Sequence, residues 1–150
     1  MPYTPRIPKN IVIHLGSPDA DAMNVTESFS DDIKNVASSE IYPTWPEQAL
    51  RANILAQISV AMNRVFTQFY RNSGYDFDIT NSPAYDQTYV YQRDIYENIS
   101  EIVDEIFNSY IRRDGFIEPL FAVFCDGVEV NCDGLEQWGS VELANQGLNY

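Results

Sequence analysis

A carboxyl group that hands a proton to a glycosidic oxygen near neutral pH needs a pKa held above its usual range. The common device is a partly desolvated, apolar surrounding. Glu40 has neighbours that can supply one: Ile41, Tyr42, Pro43 and Trp45 follow it, and Pro43 and Pro46 stiffen the stretch so that an aromatic wall can stand beside the acid. The same residues also compose a solvated helix end, the commoner meaning of such a glutamate in a chain with 22 acidic residues. His14 is the sole histidine, and no triad partners mark it, so in its short β-branched run it reads as structural. Cys125 and Cys132 flank a turn-rich stretch and can close a disulfide if the loop doubles back, or stay idle as thiols in a reducing compartment. One histidine and two cysteines do not complete a four-ligand zinc site, so neither a metal nor a cofactor is expected. Asp19, Asp21, Asp126 and Asp133 lack EF-hand spacing and read as solvated loop acids.

The elements that must position Glu40 follow from periodicity. Residues 10–16 are β-branched and closed by Gly16, which predicts a first strand, with a turn at 17–21. Ser30 before Asp31 and Asp32, with Ile33, Val36 and Ala37 at helical spacing, predicts a short helix ending near Glu40. Pro43 and Pro46 forbid its continuation, and Pro46 suits the first position of the next helix. From 47 to about 72, Leu50, Ile54, Ile58, Ala61, Met62 and Val65 recur at three- and four-residue steps, the mark of a long central helix closed by Gly74. Residues 75–92 are rich in Tyr, Asp, Asn and Ser and predict an extended surface segment with one short strand at 87–91. A second amphipathic helix is predicted over 94–113, then a strand at 119–124 and a short helix at 141–146. The expected architecture is α+β, with a small mixed or antiparallel sheet.

Composition bounds the function. A chain of 150 residues that is 45% hydrophobic can bury one core, so residues 1–150 are expected to form a single domain. A net charge of −13 excludes a polyanion bound by charge, and nucleic acid with it. Ten tyrosines, eight phenylalanines and two tryptophans supply too much apolar surface for a disordered chain. No apolar run approaches the roughly 20 residues of a membrane span, so no membrane insertion is expected. The first eight residues lack the apolar region of a signal peptide; the protein is then made for the cell interior or has lost a leader.

The run from Phe29 to Ala52, with Lys34-Asn35-Val36-Ala37-Ser38-Ser39-Glu40 followed by Trp45-Pro46-Glu47-Gln48-Ala49-Leu50-Arg51-Ala52, resembles the hallmark of the stage II sporulation protein D family. In that family a Tyr-Leu-Lys-Gly-Val-Val-Ala-x-Glu-Met segment precedes Trp-Pro-x-Glu-Ala-Leu-Lys-Ala-Gln. Asp86-Gln87-Thr88-Tyr89 is similar to the family's Cys-Gln-x-Tyr, and Trp138-Gly139 falls where the family has such a pair. The resemblance extends from about residue 11 onward, and its most specific part surrounds Glu40. More narrowly, the chain resembles the catalytic region of spore cortex-lytic enzymes. Two departures stand out: Asp86 replaces the family's cysteine, and Phe124-Cys125-Asp126-Gly127 stands where the family has Ser-x-Ser-Gly-Gly.

The resemblance implies a lytic transglycosylase that cuts peptidoglycan glycan strands between N-acetylmuramic acid and N-acetylglucosamine, located in the cell wall or spore cortex or coat. Glu40 is the implied acid and base, and Asp86 the first candidate for a supporting carboxylate, with Asp78 and Asp76 behind it. Trp45, Tyr85, Gln87 and Tyr89 are implied sugar contacts, since aromatic faces stack on sugars and amides bind hydroxyls; packing at the rim of the core is the competing meaning of each. The resemblance also implies a peptidoglycan-binding module in the parent protein. Some relatives act as amidase activators or wall-binding proteins without cutting glycan, which is the alternative function.

Overall fold

The computed structural model describes residues 6–109 together with Pro119, Phe124–Cys125 and Leu135–Glu136. β1 (Asn10–His14) pairs antiparallel with β2 (Asn24–Ser28), from Asn10↔Ser28 to His14↔Asn24. On its other side β1 pairs in parallel with β3 (Ile79–Thr80), through Ile13↔Ile79 and His14↔Thr80. The order β2-β1-β3 puts β1 in the middle, and Ile11 and Ile13 are accordingly sealed from solvent. β1 is predicted by its β-branched run, but β2 and β3 are not: β2 is polar and only half-buried, and β3 is two residues long. The strand expected at 87–91 does not form: the Thr88 and Val90 N–H groups bond to side chains of a helix, and the Tyr89 N–H makes an isolated bond to the Asn81 carbonyl at 3.3 Å.

α1 (Phe29–Glu40) begins earlier than its Ser30 signal suggests, because the cap is Ser28, whose Oγ accepts the Asp31 N–H at 3.2 Å. Phe29, Ile33, Val36 and Ala37 form its buried stripe, and burying Ile33 contributes about 1.5–3 kcal/mol. The helix ends where Ile41 turns extended, at φ −131° and ψ 161°. α2 (Glu47–Thr67) is the central helix, and Pro46 serves as its N-cap, one position before the site expected for it. It stops at Gln68, which adopts φ 52°, so the helix expected over 47–72 is divided: a separate 3-10 turn, Arg71–Ser73, follows and ends at Gly74 with φ 94°. α3 (Glu97–Ile106) starts later than expected and ends at Ile106, and the part of that expectation beyond residue 109 lies outside the described residues.

The architecture is α+β: a long central helix, a second amphipathic helix and a small mixed sheet. Ile54, Ile58 and Met62 of α2 meet the α1 stripe, Ile99 and Val103 of α3, and Ile79 of β3 in one hydrophobic cluster. Near the chain end β4 (Phe124–Cys125) pairs in parallel with β5 (Leu135–Glu136). The cysteine pairing, Trp138-Gly139 and the helix expected at 141–146 lie outside the described residues. No helix among the described residues is long and apolar enough to cross a membrane.

Candidate functional site

Glu40 closes α1, and its side chain is partly buried, neither sealed in the core nor fully solvated. Its Oε1 accepts the backbone N–H of Thr88 at 2.7 Å, a contact that reaches across 48 residues of chain. The proline-bounded corner beyond it is held by two bonds: Trp45 N–H donates to the Tyr42 carbonyl at 3.2 Å, and Asn98 Nδ2 donates to the Pro43 carbonyl at 2.8 Å. Tyr42 packs against Trp45 at 5.8 Å between ring centroids while staying 59% exposed. Trp45 itself belongs to the core cluster, and it lines a cavity of about 160 Å³ with Leu50, Arg51, Ile102 and Glu105.

The segment that carries Thr88 is fastened along the polar face of α1. Asn35 accepts the Val90 N–H at 2.9 Å and donates to the Val90 carbonyl at 2.7 Å. Farther along, Arg93 Nη1 donates to Ser39 Oγ at 3.3 Å, and the Tyr96 N–H donates to Ser38 Oγ at 3.3 Å. Between these contacts the chain turns at 90–93, where Gln92 takes φ 63° and the Arg93 N–H donates to the Val90 carbonyl at 3.2 Å. Asn35, Ser38, Ser39, Thr88 and Arg93 are absent from the sequence-derived candidates. The signal that finds them is polarity in the wrong place, since Asn35 and Ser38 are buried on a helix whose other buried positions are mostly apolar.

Asp86 stands apart from this arrangement and corrects its expected role. Its side chain has no exposed surface. Oδ1 receives Arg64 Nε at 2.6 Å, and Oδ2 receives the Tyr70 hydroxyl at 2.7 Å, the Thr80 N–H at 2.9 Å and the Thr80 hydroxyl at 2.6 Å. A carboxylate so enclosed cannot reach a glycan; it ties the 82–90 segment to α2 and β3. Burial, followed by the bond to Asp86, holds the Tyr70 phenol well above its usual range. Asp78 is likewise a tie, with Arg71 Nε on Oδ1 at 2.8 Å and the Val12 N–H on Oδ2 at 2.9 Å. Asp76 accepts Asn24 Nδ2 at 3.0 Å on the far side of the sheet pairing.

The expected sugar contacts divide in the same way. Tyr85 is 48% exposed, whereas Tyr89 and Gln87 are buried. Burial, then the charges of Glu27 and Asp32, raises the Tyr89 phenol. Both ends of the Gln87 amide lack a hydrogen-bond partner among the described residues. His14, taken as structural, ends the central strand: Nδ1 lies 2.6 Å from Asn24 Oδ1, Nε2 lies 3.0 Å from the Ala20 carbonyl, and the ring stacks on Phe77 at 4.4 Å. Among the described residues no group of three acidic, histidine or cysteine side chains is arranged to hold a metal ion.

Compared with family models, curated proteins and solved structures, the chain matches none.

Proposed function

We propose that the protein is a peptidoglycan lytic transglycosylase of the stage II sporulation protein D type, with Glu40 as its acid and base. The observation that carries this reading is a partly buried carboxyl at a helix end, oriented by the Thr88 N–H, inside the motif that resembles that family. A proton donor must hold its rotamer, and the Thr88 N–H bond to Oε1 restricts that of Glu40. Tyr42 lies two residues beyond Glu40, and Tyr85 and Tyr91 lie on the segment that carries Thr88; all three are exposed aromatics suited to sugar faces.

In the proposed reaction the Glu40 carboxyl protonates the oxygen that leaves C1 of N-acetylmuramic acid, and the C1–O bond breaks. The carboxylate then takes the proton from the C6 hydroxyl of the same sugar, and that oxygen bonds to C1 to close a 1,6-anhydro ring. No water is consumed, and the glutamate ends the cycle protonated. Asp86, being enclosed, does not serve the water-activating role of an inverting hydrolase, and the intramolecular closure needs no second carboxylate. Trp45, Tyr89 and Gln87 are buried and pack inside the fold, and of the expected sugar contacts Tyr85 is the exposed one.

The test is digestion of purified peptidoglycan and of spore cortex, with products read by mass spectrometry. Anhydro-muropeptides, lighter than hydrolysis products by one water, are expected. Free reducing ends would reassign the protein as a hydrolase. Intact glycan, together with faster stem-peptide removal by an added wall amidase, would make it the non-catalytic activator.

A further inference from the structure

Asn35 sits on α1 five residues before Glu40, is buried, and uses its amide on both polar groups of one distant residue, the N–H and carbonyl of Val90. A side-chain amide that accepts and donates to the same residue replaces the two bonds of a strand partner and fixes the backbone in position and rotation. Its own orientation is supported by Ser39, whose hydroxyl lies 2.8 Å from the Asn35 carbonyl and 3.3 Å from Asn35 Oδ1. Val90 is two residues from Thr88, whose N–H donates to the Glu40 carboxyl. In extended chain, residues two apart point the same way, so whatever registers Val90 against α1 also registers the Thr88 N–H. The stretch belongs to no strand; the backbone tie on the residue between them, the Tyr89 N–H bond to the Asn81 carbonyl, is long at 3.3 Å, whereas the Asn35 grip on Val90 is two bonds of 2.9 and 2.7 Å.

We propose that Asn35 is a positioning residue for Glu40: its two-bond grip on Val90 sets the Thr88 N–H against the Glu40 carboxyl and so fixes the acid for proton transfer. The proposal rests on the functional reading of Glu40, but its geometric part can be tested without any substrate.

The experiment follows the Thr88 amide by 1H–15N correlation spectra across a pH titration, in the wild type and in Glu40→Gln, Asn35→Ala, Asn35→Asp and Val90→Pro. The wild-type Thr88 amide is expected to shift as Glu40 titrates, and Glu40→Gln to abolish that shift. Asn35→Ala is expected to erase the same titration and to speed Thr88 amide exchange while the helical circular dichroism persists. Asn35→Asp keeps the acceptor for the Val90 N–H but, as a carboxylate, has no donor for the Val90 carbonyl, so its Thr88 amide should exchange faster than in the wild type. Val90→Pro removes one bond of the grip without altering α1, and it decides the matter if the Asn35 variants fail to fold. In glycan cleavage, Asn35→Ala should lower kcat by about tenfold or more and leave KM nearly unchanged. A Thr88 amide that titrates normally in both Asn35→Ala and Val90→Pro overturns the proposal. If the titration is lost as expected but wild-type protein cuts no glycan, the positioning role stands and the transglycosylase reading falls.

Discussion

Arg64 and Asp86 meet at 2.6 Å between Nε and Oδ1, with the aspartate side chain wholly enclosed and the guanidinium lying over the Phe69 ring at 3.9 Å from its centroid. Arg64 also donates to the Tyr85 carbonyl at 3.1 Å, so one arginine secures two successive residues of the 82–90 segment to α2. Removing the carboxylate takes the anionic partner from the partly buried Arg64 and frees the Thr80 N–H and the Tyr70 hydroxyl at once. Asp86→Ala is therefore expected to cost about 3–5 kcal/mol in urea unfolding, the usual penalty for breaking a buried pair from one side. A loss below about 1 kcal/mol, the range of exposed pairs, would show that the network is not structural.

Asp32 gives the protein a pH dependence of unusual sign. Burial, then the nearby charge of Glu27, pushes its carboxyl up to about 8, and Oδ2 finds no partner among the described residues. In the unfolded chain the same group titrates near about 4. The native state therefore binds the proton more tightly, and this contribution to stability is full below about pH 4, declines as pH rises, and is gone above about pH 8. Asp32→Asn mimics the protonated acid and should flatten that decline, with a melting temperature above wild type at pH 8. Melting curves from pH 5 to 9 check this; parallel slopes in the two proteins would count against it.

Glu40→Gln retains an oxygen for the Thr88 N–H but has no proton to give. Glycan cleavage should fall by about 100-fold or more, while the melting temperature stays within about 2 °C. A folded variant that still produces anhydro-sugar would remove Glu40 from the chemistry, and an unfolded one would make it architectural.

Gln68 ends α2 in the left-handed region, with its N–H shared between the Arg64 and Val65 carbonyls at the helix terminus. That conformation suits glycine and strains a branched side chain. Gln68→Gly should stabilise the protein by up to about 1 kcal/mol and Gln68→Val should destabilise it, as measured by thermal unfolding. Opposite signs would mean that the side chain of Gln68 contributes more than its backbone strain costs.

The helical frame is legible in the sequence because periodicity records burial. Ile54, Ile58 and Met62 advertise α2, and the prolines at 43 and 46 mark the corner after Glu40. The limits of the helices are less legible where no glycine or proline marks them, which is why Gln68 escapes notice. β2 and β3 are hidden for a different reason: one is half-exposed and polar, the other too short to show alternation. Asp86 illustrates the boundary for sites. Its residue type is compatible with catalysis, and only the placement of Arg64, Tyr70 and Thr80 around it reveals a tie. The Asn35–Val90 grip joins a side chain to a backbone 55 residues away, and no local pattern encodes such a pairing.

The parallel pairing of β1 with β3 has a consequence for biosynthesis. β1 and β2 can close as a hairpin as soon as residue 28 has emerged, but the other edge of β1 must wait for residues 78–81, which arrive after both α1 and α2. At ordinary translation speeds the nascent hairpin carries a bare, β-branched edge for on the order of seconds. Such an edge invites strands from neighbouring chains. The Val12 N–H on that edge is eventually covered by the Asp78 side chain, so the open edge of this hairpin is sealed in part by a carboxylate.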